Sequence, residues 1–342
     1  MSYDSILLLS FGGPENEAAV IPFLENVLRG KNVPRERLLE VAEHYYHFGG
    51  KSPINDQNRE MLTALRAELD AAGIDLPLYW GNRNWDPMLA DTLRQMAADG
   101  KKKALAYVTS AFGSYSGCRQ YLGDIERARA EVGESAPHVD KLRVFFNHPG
   151  FIEAMTDRTA KAFEQVSVAN REAALLLFTA HSVPTSMART SPYVEQLEEA
   201  CRLVAAGVER TKWRLVYQSR SGPPGQPWLE PDVGEALKAV KENGEAPAVV
   251  VAPVGFLSDH MEVLFDLDTE ARALCDEIGL EMVRAGTAGS HPRFVQGVRE
   301  LIEERLDPAK PRVAVGSMPP SADVCPTDCC PRPQRPTARP SA

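Results

Sequence analysis

Apolar, β-branched and aromatic residues gather along the chain in short continuous runs, separated by longer stretches with helical spacing. The runs are Ser5–Phe11, Leu76–Trp80, Ala104–Ser110, Leu142–Phe146, Ala173–Thr179, Leu215–Gln218, Val249–Val254 and Glu281–Ala285. Runs without polar alternation suit strands covered on both faces, which is the situation in a parallel sheet. Between them, Asn58–Ala72 sets Met61, Leu62, Leu65 and Leu69 on one stripe, as an amphipathic helix does. Phe151–Val166, Pro192–Glu209 and Pro292–Arg305 read as helices in the same way. Strands alternating with helices predict an α/β fold of doubly wound parallel sheets. The first four strands form one set and the last four another, with a turn-type break at His148-Pro149-Gly150. The expected organisation is an N-terminal domain over 1–147, a C-terminal domain over 148–317 and a tail over 318–342. The tail is rich in Pro, Ser, Thr and Arg and is expected to be irregular.

Length agrees with two domains, since 342 residues exceed one ordinary core. The apolar fraction of 44% and charged fraction of 25% are those of a soluble globular protein. A net charge of −9 argues against nucleic acid as a partner. No apolar run approaches the roughly 20 residues that span a bilayer. The opening Met1-Ser2-Tyr3-Asp4 lacks the basic start of a secretory signal and the Arg/Ser-rich character of a transit peptide, so a cytoplasmic location is expected. Three of the six cysteines crowd the tail, which does not suit an extracellular disulfide framework.

Ligands of open α/β sheets bind beyond the carboxyl ends of strands, so the loops that follow the strands are where chemistry is expected. His181 stands at such a strand end, where neutral imidazole can bind a borderline metal or accept a proton near neutral pH. A hydrogen-bonded structural histidine is the competing reading. Ser258-Asp259-His260-Met261-Glu262 opens a helix on which carboxylates recur four residues apart, at Glu262, Asp266 and Glu270. In a regular helix that row drifts around the axis, whereas a wider π-type turn keeps it aligned, as a hard-oxygen track for a divalent cation. Its alternative is a solvated acidic face. Phe11-Gly12-Gly13-Pro14 follows the first strand and lets backbone approach something flat, or makes a plain tight turn. It is not a dinucleotide fingerprint, because the G-x-G-x-x-G spacing is absent.

Five segments in order resemble the ferrochelatase family, and they cover the chain from about residue 6 to 305. They are Leu9–Pro14, Gly49–Ile54, Thr179–Pro184, Tyr217–Arg220 with Pro227-Trp228-Leu229, and Pro253–Glu262. The resemblance, nearest to the bacterial, actinobacterial-type members, implies two Rossmann-like, chelatase-like domains with a porphyrin cleft between them. It implies that His181 and Glu262 flank the porphyrin centre and contact the substrate Fe2+. His181 is then the expected proton acceptor. Glu262, supported by Asp259 and His260, holds or relays iron and protons, and Asp266 and Glu270 extend that route. Phe11, Lys51, Ser52, Arg83, Gln218 and Trp228 are the expected porphyrin-binding residues. Phe11 stands where many bacterial relatives carry Tyr, so an axial oxygen ligand is not expected there. The stretch between Val27 and His44 carries Arg29, Lys31, Arg35 and Arg37, where mitochondrial-type relatives have an apolar lip. A basic lip suits a ring with four propionates. Coproporphyrin III, giving coproheme, is therefore favoured over protoporphyrin IX.

Cys325, Cys329 and Cys330 form C-x3-C-C, and soft thiolates bind zinc or iron–sulfur clusters. Some ferrochelatases hold a 2Fe-2S cluster with three C-terminal cysteines and one internal cysteine. By that resemblance Cys118, Cys325, Cys329 and Cys330 are the expected ligands, with zinc or a disulfide as alternatives. Cys201 and Cys275 fall in helical patterns and are expected to be packing residues. Three other readings compete: a cobalt or nickel tetrapyrrole chelatase, a two-lobed metal- or heme-binding protein, and a Rossmann-type oxidoreductase. The second needs an export signal and the third a phosphate-binding glycine loop. A monomer is expected, in at most transient contact with a membrane or with other enzymes of heme synthesis.

Overall fold

The computed structural model describes residues 2–31, 33–222 and 225–333. The first half winds β1 (Ser5–Ser10), α1 (Glu17–Val27), α2 (Arg35–Tyr46), α3 (Ile54–Ala71), β2 (Leu78–Asn82), α4 (Leu89–Ala98), β3 (Lys103–Val108), α5 (Gln120–Val132) and β4 (His138–Lys141). The second half follows with α6 (Pro149–Gln165), β5 (Leu175–His181), α7 (Thr185–Ala188), α8 (Tyr193–Gly207), β6 (Trp213–Gln218), α9 (Val233–Glu242) and β7 (Ala248–Ala252). It closes with α10 (Met261–Val263), α11 (Arg272–Ile278), β8 (Glu281–Arg284) and α12 (Pro292–Leu306). The strand order is β2-β1-β3-β4 in one sheet and β6-β5-β7-β8 in the other, so the second half repeats the topology of the first. All pairings are parallel, with Ile6 opposite both Leu78 and Leu105, and Leu176 opposite both Trp213 and Val250. The fold is thus the expected pair of doubly wound α/β sheets.

Burial explains why the central strands lack alternation. Every residue of β1 and of β7 is buried, because helices cover both faces of each sheet. The two sheets share one main apolar core, which joins Leu8, Tyr107 and Phe145 of the first half to Phe178, Val250 and Phe294 of the second. Helix α12 packs on both α6 and α3 and so ties the halves together.

One expected strand is corrected. Leu142–Phe146 is not extended into the sheet; β4 is the preceding His138–Lys141. The run is apolar because it is the chain's passage from one sheet to the other through the core, with Leu142, Phe145 and Phe146 each at most 2% exposed. Its backbone is satisfied in part by β3 and the loop after it, the Leu142 N–H donating to Ala106 O and the Phe145 N–H to Ala111 O.

Two short π-helical segments interrupt the regular helices, Tyr115–Arg119 before α5 and Leu264–Ala271 between α10 and α11. Such segments are rare and concentrate at functional sites. Here they carry Cys118 and two members of the acidic row. From Asp307 to Pro333 the chain is irregular. Among the described residues, no helix is long and apolar enough to cross a membrane.

Candidate active site

Strands β5 and β6 end level with one another, His181 opposite Gln218. His181 leaves the sheet edge with a third of its side chain exposed, while the six residues before it are buried. Its Nδ1–H donates to the Ser182 carbonyl at 2.5 Å, which fixes the tautomer and leaves Nε2 facing outward. The Tyr193 hydroxyl donates to the His181 carbonyl at 3.0 Å and steadies the backbone beneath it. Nε2 lies 3.7 Å from Glu262 Oε2. Burial alone would lower the imidazole pKa; the Glu262 charge and hydrogen bond outweigh it and hold the ring above its ordinary value. Burial likewise opposes ionisation of Glu262, yet the His181 cation, with His260 beside it, holds that carboxyl down at about 2. The two groups form one ion pair.

The loop before Glu262 passes hard over the end of β5. A Cβ on Gly255 would sit 2.6 Å from Ala180 Cα, so only glycine allows that approach. His260 then caps the helix, its Nδ1 accepting from the Glu262 N–H at 3.2 Å. The helix starts in α pitch and continues in π pitch. A four-residue step overshoots a full turn in α geometry and falls short of one in π geometry, so the mixture keeps Glu262, Asp266 and Glu270 in line. Asp266 accepts from Ser219 Oγ–H and, at 3.2 Å, from Gln218 Nε2–H. Burial raises the Asp266 pKa to about 7; these two bonds oppose the rise and the Glu262 and Glu270 charges add to it. Glu270 is raised in turn, by burial and then by the Asp232 charge. Asp266 and Glu270 resist ionisation in line with the ionised Glu262, a repulsion that a divalent cation would relieve.

Asp259 is differently employed. Its carboxylate accepts from Arg284 Nη1 at 2.7 Å, and its N–H donates to Gln57 Oε1 at 2.9 Å, a contact reaching α3 in the other half. A second contact between the halves is the stack of His44, on α2, against Phe265 in the π segment, with ring centroids 3.7 Å apart and planes 8° apart.

The other candidates divide. Phe11 is exposed at the end of β1, and the Arg83 guanidinium lies 5.6 Å from its ring centre. Arg83 is itself nearly buried, ion-paired with Asp124 and laid over Tyr121. Crowding by surrounding protein lowers the Lys31 pKa, and the Arg83 charge adds to it, so these two cations share one corner beside Phe11. Lys51 is paired with Asp56 at 2.5 Å, and Ser52 is buried with its N–H donating to Pro14 O. Arg35 and Arg37 pair with Glu25 and Glu40, whereas Arg29 is bonded to the neutral Asn26 side chain. Trp228 packs its indole over Gly222, where a Cβ would meet the ring at 2.1 Å. A surface hollow of about 940 Å3 borders β6, but neither His181 nor Glu262 is in its lining.

The tail cysteines return to the body. The Cys329 and Cys330 sulfurs are 3.6 Å apart, and no disulfide joins any pair. Burial, with the neighbouring thiolate charges of Cys329 and Cys118, pushes Cys325 up to about 11. Burial and the Cys329 hydrogen bond, with the Cys329, Cys118 and Cys325 charges, push Cys330 up to about 12. Each of these tail thiols thus feels Cys118 as well as its sequence neighbours. Among the described residues, no group of three or more His, Cys, Asp or Glu closes around a metal position. Cys201 and Cys275 are buried in the cores.

Two lobes of parallel sheet, with a histidine–carboxylate pair and an acidic row above their carboxyl edges, define a chelatase-like protein. Residues 3–306 match the family model described as Ferrochelatase, and the chain belongs to the ferrochelatase family. A ferrochelatase of Rhodopirellula baltica is 60% identical over 328 residues, covering 96% of this chain and 93% of that protein. A coproporphyrin III ferrochelatase of Streptomyces coelicolor is 50% identical, covering 98% of this chain and 96% of its own. One of Nocardia farcinica is 50% identical, covering 99% of both chains. In three dimensions the chain is similar to SirB of Bacillus subtilis with Fe3+, at a TM-score of 0.54 and 11% identity, over 88% of this chain and 95% of that one. That likeness concerns the fold.

Proposed function

We propose that this enzyme inserts Fe2+ into coproporphyrin III, giving coproheme. The observation that carries the chemistry is the 3.7 Å approach of His181 Nε2 to Glu262 Oε2, at the head of an acidic row on a π segment. The substrate choice is supported by relatives such as that of Streptomyces coelicolor, named coproporphyrin III ferrochelatases, and by the Lys31 and Arg83 charges near Phe11. Ring propionates meet that corner through charge-assisted hydrogen bonds. Phe11 packs against the ring face without offering it an oxygen.

Metalation removes two pyrrole protons and delivers one cation. His181 accepts one pyrrole proton at a time at Nε2, because its other nitrogen is committed to Ser182 and the Glu262 charge increases its basicity, and it releases the first toward solvent past the exposed Glu262 carboxylate before taking the second. A flat macrocycle hides its nitrogen lone pairs, so binding contacts at the ring edge must bend it. Glu262, Asp266 and Glu270 pass the cation along a line of oxygens, and Gln218 and Ser219 hold Asp266 in that line. His260 positions Glu262 through its backbone. Asp259 is tied up by Arg284 and serves to hold the loop, rather than to relay iron.

We further infer that Cys118, Cys325, Cys329 and Cys330 hold a 2Fe-2S cluster. The adjacent Cys329 and Cys330 thiols, with Cys325 and Cys330 both feeling the Cys118 charge, fit such a group by donor chemistry. Bound there, it would supply a redox-sensitive tie between the tail and the body, apart from the proton and metal transfers at His181. Cys330→Ser should abolish the cluster's visible absorbance in anaerobically prepared protein; an unchanged spectrum rejects the ligand set.

The deciding experiment is anaerobic metalation of coproporphyrin III and protoporphyrin IX side by side, read from product absorbance. Faster insertion into coproporphyrin is expected. Preference for protoporphyrin rejects the basic-corner argument, and insertion into neither by folded protein rejects the reading.

A further inference from the structure

The acidic row poses a mechanical problem that its own residues do not solve. Three carboxylates within Glu262–Glu270 repel one another, and π pitch is less favourable than the α pitch on either side. Something outside the row has to hold it. Arg284, the last residue of β8, points at the opposite side of the same segment. Its Nε donates to Asp268 Oδ1 at 2.6 Å and its Nη2 to Asp268 Oδ2 at 2.8 Å. Its Nη1 donates to Asp259 Oδ1 at 2.7 Å. One guanidinium thus grips Asp259, three residues before Glu262, and Asp268, midway between Asp266 and Glu270. The side chain is 15% exposed, so water screens these bonds little.

The planar fork explains the residue type. A bidentate bond to one carboxylate fixes the orientation of Asp268, and the remaining nitrogen reaches a second carboxylate at a set angle. A lysine ammonium has the charge but not the fork. The clamp also engages the two acids of this stretch that lie outside the row, so that Arg284 is spent on Asp259 and Asp268 rather than on Glu262, Asp266 or Glu270.

We propose that Arg284 is a positioning residue for metal delivery: by clamping Asp259 and Asp268 it holds the Glu262–Asp266–Glu270 row in cation-receiving alignment, without touching iron or porphyrin. The inference rests on the iron-delivery reading of the row given above, and its test separates the two.

Arg284→Lys and Asp268→Asn are compared with the wild-type holoprotein in three measurements. These are hydrogen–deuterium exchange of residues 261–271, Co2+ affinity without porphyrin, and the KM for Fe2+ against kcat and porphyrin Kd. Arg284→Lys is expected to speed exchange across 261–271 alone, weaken Co2+ binding about tenfold and raise the Fe2+ KM similarly. Porphyrin Kd should stay within about twofold. Asp268→Asn, which keeps one acceptor oxygen, should show the same changes at about threefold. Unchanged exchange in 261–271 would overturn the clamp. Faster exchange with unchanged Co2+ affinity and KM would overturn its positioning role. Exchange accelerated evenly over both lobes by both variants would also overturn it, since the residue would then be general structure. A wild-type protein that inserts no iron would reject the iron-delivery reading, while the exchange and Co2+ data would still judge the clamp.

Discussion

At the scale of single residues, the pair His181 and Glu262 sets what the site can do. Glu262 is the main reason the imidazole sits above its ordinary pKa despite its surroundings. Glu262→Gln removes that charge and leaves only the Ser182 carbonyl and the Asp266 charge to oppose desolvation, so the His181 pKa should fall below its value in the wild type. Iron insertion should fall by about 100-fold or more, within the range that positioned acid–base groups supply. Imidazole resonances followed by NMR across pH test the first part; a His181 titration that does not move in Glu262→Gln would sink the pairing. His181→Ala should lose insertion while porphyrin binding remains. A histidine closing a buried strand and carboxylates at fixed spacing are local patterns that single out both residues in the sequence, but their pairing is implied there only by the family resemblance. Arg284 was not singled out, although it closes a strand that the sequence does show. Its partners Asp259 and Asp268 lie 25 and 16 residues earlier, a pairing that no local pattern announces.

At the scale of elements, the sequence showed apolar runs well and their meaning less well. The strands β1, β3, β5 and β7 read correctly because helices bury both their faces. Leu142–Phe146 misled for the same reason: burial makes a run apolar whether it pairs in a sheet or threads between two sheets. The π segment was foreshadowed only through the spacing of Glu262, Asp266 and Glu270. Helix α8 carries a further local device. Glu199 accepts from Arg202 Nε at 2.9 Å and from the Ser317 hydroxyl at 3.0 Å, pinning the strand of tail that follows α12. The Arg202 hydrogen bond, against the cost of burial and with help from the two Ser317 donors, holds its pKa at about 2. A depressed carboxyl stabilises the fold above its unfolded pKa and loses that contribution as pH falls through its folded pKa. Glu199→Gln should therefore cost on the order of 2 kcal/mol near neutrality, screening by water around Arg202 allowed for. The gap to the wild type should shrink by roughly half between pH 5 and pH 3. Urea midpoints at both pH values decide it, and a gap independent of pH would count against the carboxylate.

For the whole molecule, the question is what keeps the two topologically repeated halves in one arrangement. The answer lies where three distant stretches meet. Arg143 stands in the buried passage between the sheets, with 1% of its side chain exposed against 5% for Glu304 on α12. Its Nε and Nη2 donate to the two Glu304 oxygens at 2.9 and 3.0 Å, and Nη2 also donates to Val313 O at 2.7 Å. The Val313 N–H returns to Glu304 Oε1 at 3.1 Å, and Asn147 Nδ2–H donates to Met318 O at 2.8 Å. The passage, the last helix and the first part of the tail are one hydrogen-bonded unit. A buried pair of this kind need add little stability over apolar residues of similar volume, but breaking it strands a charge. Glu304→Leu alone should cost about 3–5 kcal/mol, because Arg143 is left buried without its partner. The double variant Arg143→Met, Glu304→Leu should recover most of that loss. Urea unfolding of the single and double variants measures the coupling directly. The same single variant should speed tryptic cleavage at the exposed Arg312, as the tail loses its hold on α12. If the double variant proved as unstable as the single, the cost would lie in packing volume rather than in the stranded guanidinium. The joint between the lobes would then be apolar in origin, with the ion pair incidental to it.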